Sequence, residues 1–492
     1  MPLWRMREAL DRGETSAAEL VEAHLAEIER TNPRVNAFIE IYADEARQRA
    51  REPLEGPLAG VPVTVKDSFD LAGRVTWCGS LLRRQERAAR DSNAAARLKA
   101  AGAIVIGKTS TPEFLYYYET DNRIIGRTCH PLDPSKTPGG SSGGEAAAIA
   151  ACMSAGGIGS DGGGSIREPA HFCGICGLKP TPGRVGAGGH WPVIGHPAGF
   201  MGVGGPMART ARDVRILFET LAGMDVRDPF SAPVPVRQPA GRSRLAVWRM
   251  NGVQAECSAA VEKAARLLAG AGCAAEEFDA ALLAGAHELW RVLFVDLITQ
   301  SLRAMIAGRE DECAWTGVEL MKEAREQVST ERLLAVLGER DAMRAPARAD
   351  GRGNGDPGAG LRHDGVSAPA AADADSRGGA AAHAGQPAGP AGDGRARRRR
   401  PRWHARGRPA HRRAMGGRAP VGRRRGARGG AGREVARRKP RRRRRRAMNG
   451  PRHGRKGSRR SILAGSNSMP KPGPSGSSIF PCTGTGGRFS KK

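Results

Sequence analysis

No apolar run in this sequence reaches the roughly 18 residues that a membrane-spanning helix needs. The N-terminus also lacks the apolar core of a secretory leader. The nine cysteines fall without paired spacing. One C-x-x-C runs from Cys173 to Cys176, but a zinc site asks for four ligands, and neither a second pair nor a histidine ladder stands nearby. Packing is therefore expected of these cysteines rather than metal binding, and their usage suits a reducing, cytoplasmic compartment. Basic charge is missing from most of the chain as well. The net charge is +29, yet residues 1–343 hold 40 Lys+Arg against 43 Asp+Glu, and residues 344–492 hold 39 against 7. The excess belongs to the tail and says nothing about what the first 343 residues bind.

What is present alternates between helical and strand-like patterns. Ser16-Ala17-Ala18-Glu19 spells a capping box. Leu20, Val21, Leu25 and Ile28 continue it as a helical stripe that Asn32-Pro33 is expected to end. Residues 56–66 read as a turn and a buried strand. A helix at 91–101, stopped by Gly102, leads into a strand at 103–106, the pattern of an α/β crossover. Helices follow at 145–155, 211–222 and 258–268, with a strand at 245–248, and 281–308 and 316–338 are largely helical. This alternation predicts an α/β fold in three layers. After about Met343 the periodicity disappears and Arg, Gly, Ala and Pro dominate. Such a composition cannot bury enough apolar surface to offset ordering entropy. Residues 344–492 are thus expected to be a disordered tail behind a domain at 1–343.

The densest chemistry lies at 138–180. Two glycine-flanked serines sit there, Ser141 with Ser142 beside it, and Ser165, 24 positions beyond Ser141. Glycines let a backbone turn tightly. A serine in such a turn can present its hydroxyl to a carbonyl, next to N–H groups that hold the oxyanion. Upstream, the apolar run Val61-Pro62-Val63-Thr64-Val65 ends at Lys66, 75 positions before Ser141. The glycine turn at 162–164 does not carry the G-x-x-x-x-G-K-[ST] spacing of a phosphate-binding loop. The ordered run S-S-G-G…G-S-D-x-G-G-S-I-R…F-C-G-I-C-G-L-K-P-T resembles the amidase signature family. The resemblance covers roughly 15–340 and is most specific between 58 and 186.

The resemblance implies a mixed β-sheet covered by helices and a Ser–cis-Ser–Lys triad. Ser165 would be the nucleophile, Lys66 the base, and Ser141 the relay between them, with Ser142 in support. A lysine ordinarily titrates near 10.4, and a seat at the end of a buried strand would bring it down. The N–H groups of Gly162, Gly163, Gly164 and Ser165 are expected to form the oxyanion hole. Asp161 and Arg167 are expected to brace the loop by hydrogen bonds and ion pairing. A gap-free match to fatty-acid amide hydrolases puts Leu115 at a substrate-contacting position. Two departures stand out. Gly162 occupies a place where most members carry threonine or another side chain, which is expected to loosen the loop. The C-terminal third, which in the family supplies sheet strands and part of the pocket, has no counterpart after residue 343.

The implied function is hydrolysis of a small-molecule amide through an acyl-enzyme on Ser165, nearest to amidases of the fatty-acid amide hydrolase type. No metal or cofactor is required, and a homodimer is an expected assembly. Other readings stay open. One is the amidase subunit of a glutamyl-tRNA amidotransferase, a branch that tends to carry an aromatic residue where this chain has Pro182. Another is a relative left inactive by its aberrant C-terminus. A third is nucleic-acid binding, confined to non-specific contacts of the arginine-rich tail. For the tail itself, out-of-frame translation of a G+C-rich gene is preferred over a genuine basic arm. Residues 360–369, back-translated and read one base later, give A-C-G-M-T-A-F-P-H, which resembles the family's later region. The nucleotide sequence decides between the two: a frame with apolar strand patterns, opened by restoring one base near codon 344, supports the first.

Overall fold

The computed structural model describes residues 1–195, 198–236, 244–323 and 327–344. The tail at 345–492, with the readings attached to it, lies outside the described residues.

Two helices open the chain, α1 (Leu3–Asp11) and α2 (Ala17–Val35). At the start of α2 the Glu19 N–H donates to Ser16 Oγ at 3.2 Å, and the Ser16 N–H donates to Glu19 Oε2 at 2.7 Å. The expected capping box therefore forms. The helix runs past the expected stop at Asn32-Pro33, with Pro33 inside its last turn. A proline there forfeits one ladder bond. What ends the helix is Asn36, in the left-handed conformation at φ 57°.

The strands β1 (Phe38–Ile41), β2 (Pro62–Lys66), β3 (Ile104–Thr109), β4 (Gly156–Asp161), β5 (Cys176–Gly177) and β6 (Val203–Ala208) form one sheet in the order β1-β3-β2-β4-β6-β5. β2 runs parallel to β3 and β4, whereas β1 pairs antiparallel with β3 and β6 antiparallel with β4 and β5. The sheet is mixed, as the resemblance implied. Helices α3 (Ala43–Arg49), α4 (Asn93–Ala100), α5 (Gly143–Ala150), α6 (Arg167–Cys173) and α7 (Ala211–Leu221) connect the strands. One cluster packs Val63, Val65 and Ile158 against Leu98 of α4 and Leu217 of α7. A second packs Ile104 and Ile106 against Val21 and Leu25 of α2 and Ala147 of α5. Helices thus cover both faces, which is why every residue of β2 is buried.

One motif in the chain is a false friend. Gly102 to Thr109 spells G-x-x-x-x-G-K-T, but these residues make strand β3, and Lys108 is fully buried 2.7 Å from Asp67 Oδ1. A phosphate cradle needs a loop with free N–H groups, and here the ladder uses them.

Further along, β7 (Arg244–Val247), α8 (Ala255–Gly270) and β8 (Ala274–Glu277) form a parallel two-stranded unit. The remaining helices are α9 (Ala286–Trp290), a π-helical turn at Arg291–Asp296, α10 (Leu297–Ile306), α11 (Trp315–Glu323) and α12 (Thr330–Arg344). Val295, Ile298, Leu302 and Ile306 pack on Phe114 and so bring this helical stretch over the loop that follows β3. No helix among the described residues is long and apolar enough to cross a membrane.

Candidate active site

Lys66 is the last residue of β2, and Asp161 the last of β4. The two strands are parallel neighbours with Val65 opposite Ile158, so both end at the same edge of the sheet. Ligand crevices of open α/β sheets form at such carboxyl edges. Lys66 is fully buried. Its Nζ lies 2.7 Å from Ser141 Oγ, 2.9 Å from Ser142 Oγ and 3.3 Å from the Ser160 carbonyl. Burial pushes its pKa down from 10.5 to about 7, against the pull of the Cys78, Asp161 and Glu145 side chains.

Ser141 and Ser142 precede α5, and the peptide bond between Gly140 and Ser141 is cis. The Ser142 N–H donates to the Ser165 carbonyl at 3.1 Å, and Ser142 Oγ accepts the Ser160 N–H at 3.4 Å. Ser142 is therefore tied to β4 and to the second serine loop. Ser141 instead lines a cavity of about 250 Å³ that Ser165 also lines. This separates a relay from a support. The two cavity hydroxyls form no hydrogen bond with one another in this structure; catalytic contacts often tighten only around substrate.

Ser165 occupies the turn between β4 and α6. The Asp161 carboxylate accepts the N–H groups of Gly164 (2.9 Å) and Ile166 (3.0 Å), and Arg167 reaches it through Nε and Nη2, both at 2.9 Å. Burial alone would raise the Asp161 pKa, but the Arg167 guanidinium and these donors outweigh it and hold the carboxyl at about 2. Asp161 and Arg167 thus meet as the resemblance implied. The oxyanion expectation needs one correction. The Gly164 N–H is spent on Asp161, which leaves Gly162, Gly163 and Ser165 as the donors without a described acceptor.

The departure at Gly162 also finds its reason. A Cβ there would run into the Phe294 ring, and one at Gly163 would come within 2.7 Å of Trp290. The Trp290 Nε1–H donates to the Gly162 carbonyl at 3.1 Å, and the Tyr118 hydroxyl to the Gly163 carbonyl at 3.0 Å. The loop is held by aromatic groups rather than loosened. Phe294 comes from the π-helical turn, a feature frequent at functional sites.

Leu115 lines the cavity, as expected. Phe114 and Leu115 both take positive φ, 55° and 68°, and non-glycine residues held so cost about 1–3 kcal/mol each and gather at ligand sites. Three participants were not singled out from the sequence. Glu145 is fully buried and accepts the Thr64 and Thr109 hydroxyls at 2.6 and 2.7 Å; burial pushes its pKa up to about 7. Its only signal was a carboxylate in an alanine-rich helix. Phe294 and His190 also line the cavity, and neither stands in a motif.

A sequence profile of the family described as amidase matches residues 19–343. The chain belongs to the amidase signature family. Among curated relatives of this amidase, a glutamyl-tRNA(Gln) amidotransferase subunit of Synechococcus sp. (strain RCC307) is 36% identical over 293 residues, 56% of this chain and 59% of that one. The indoleacetamide hydrolase of Bradyrhizobium diazoefficiens is 35% identical over 347 residues, 64% and 65% of the two chains. The chain thus spans less than two thirds of the length of these relatives. A structure of 6-aminohexanoate cyclic dimer hydrolase complexed with substrate superposes with a TM-score of 0.61 at 30% identity, over 70% and 75% of the chains. The expected nearness to fatty-acid amide hydrolases gives way here. Such an enzyme reaches the same TM-score at 23% identity, a likeness of fold alone, whereas the indoleacetamide hydrolase and the transferase subunit share more of the sequence.

Proposed function

We propose that this amidase hydrolyses small, largely apolar amides through an acyl-enzyme on Ser165. The observation that carries the reading is a buried amine at position 66, 2.7 Å from the hydroxyl of Ser141, at a cavity that Ser165 shares. In its neutral form Lys66 takes the proton of Ser141 as Ser141 takes that of Ser165. Ser165 Oγ then bonds to the amide carbon, and the oxyanion meets the N–H groups of Gly162, Gly163 and Ser165. The carbon–nitrogen bond breaks as the proton returns from Lys66 through Ser141 to the leaving nitrogen. Water cleaves the resulting ester by the same route and frees the acid. The cavity of about 250 Å³ falls below the roughly 300–1,000 Å³ of drug-sized sites, which favours small substrates over long acyl chains.

A second reading is supported by the relatives named as amidotransferase subunits, at 36–42% identity. In that case the same site would release ammonia from an amide for a partner. Both readings are tested by incubating the purified full chain with a panel of small apolar primary amides and with glutamine. Ammonia release from the apolar amides, abolished by Ser165→Ala, is the expected result. Turnover of glutamine alone would favour the second reading, and release that survives Ser165→Ala would remove the nucleophile from its role.

A further inference from the structure

Inside the cavity sits one polar atom that the proton route does not use. His190 is 6% exposed, and its ring packs edge-on against Phe69 with centroids 4.8 Å apart. Its Nδ1 lies 2.7 Å from the Pro192 carbonyl. A carbonyl only accepts, so Nδ1 carries the proton. Burial pushes the ring's pKa down to about 3, with the Lys66 charge acting in the same direction. The imidazole is therefore neutral and Nε2 is a bare acceptor. That atom is buried and has no hydrogen-bond partner in the protein. An orphaned acceptor costs about 1–3 kcal/mol, and one beside a cavity wall calls for a ligand that brings the donor.

The rest of the wall says which donor. Phe114, Leu115, Pro192, Phe294 and Leu302 are apolar neighbours of the space. A substrate hydroxyl or carboxamide reaching Nε2 would carry acceptor lone pairs that these side chains leave unsatisfied. An ammonium would need a counter-charge, and the Asp161 carboxylate is already spent on Arg167. A pyrrole-type ring N–H donates without accepting, as the indole of tryptophan does, and its flat ring suits an aromatic wall. We propose that His190 is a specificity residue, accepting a hydrogen bond from a ring N–H on the acyl side of the substrate, so that the site takes primary amides of heteroaryl acetic acids.

This inference rests on the amide-hydrolase reading, and its test keeps the two apart. Indole-3-acetamide and benzofuran-3-acetamide differ by replacement of the ring N–H with oxygen. The full chain is expected to favour the indole at least tenfold in kcat/KM. In His190→Phe that ratio should fall to about one, and His190→Gln, which returns an acceptor, should restore part of it. Calorimetric binding of the same pair to Ser165→Ala, a variant intact at position 190, should show the same preference. Equal values for the two amides in the unaltered chain overturn the proposal, as does a preference that persists in His190→Phe or a failure of both amides to bind. Preferential binding without any turnover would instead leave the subsite standing and sink the hydrolase reading.

Discussion

Ser141 and Ser142 carry the same side chain, and their surroundings give them different work. Both hydroxyls reach Lys66 Nζ, but Ser142 is pinned to Ser160 and to the Ser165 carbonyl, whereas Ser141 opens on the cavity. Ser141→Ala should therefore lower kcat by about 10²–10⁴-fold, the usual worth of a positioned proton-transfer group, with KM and melting temperature little changed. Ser142→Ala should lower the melting temperature as well as the rate. Steady-state kinetics and thermal melts of the two variants check this, and equal profiles for both would contradict the assignment. At this scale the motif made the triad legible, because Lys66, Ser141 and Ser165 stand in fixed order and spacing. The Gly164 donor was misjudged because glycine spacing does not show that the Asp161 carboxylate folds back onto that N–H. The His190 acceptor was invisible for a related reason: its tautomer is set by Pro192, and its burial by packing on Phe69.

Among the elements, β2 and β3 hold the base in place. Their parallel register sets Val65 opposite Lys108 and Lys66 opposite Thr109. Just beyond, the fully buried Lys108 and Asp67 pair at 2.7 Å, and Lys108 Nζ also donates to the Val75 carbonyl and to Thr76 Oγ1 at 3.1 Å. Replacing one member of such a pair strands the other charge away from water. Lys108→Met should cost about 3–5 kcal/mol of stability, measured by urea unfolding, and a loss below about 1 kcal/mol would show that the pair does not anchor the strand end. Periodicity in the sequence found β2, β3 and the helices beside them. It missed their limits where a local turn decides. The helix expected at 145–155 forms at Gly143–Ala150, because Cys152 takes a left-handed φ of 60° and turns the chain toward β4. The G-x-x-x-x-G-K-T match on β3 shows the same limit, since a spacing alone does not distinguish a strand from a loop.

Over the whole molecule, the break in composition near residue 343 coincides with the end of the family match at that residue. The triad, the oxyanion donors and the described cavity wall all lie before it. The account stands or falls on whether this chain brings a neutral amine to bear on Ser165. Burial depresses the Lys66 pKa, so the amine is protonated below about pH 7 and neutral above it; nucleophilic reactivity should therefore rise with pH and level off. The direct measurement is the rate at which a fluorophosphonate labels Ser165 in the full chain between pH 5 and 10, followed by intact mass. The account predicts one ionisation with a midpoint near 7, and labelling lost in Lys66→Met. A rate that keeps climbing toward pH 10, as for a solvated lysine, or labelling indifferent to Lys66→Met, would contradict it.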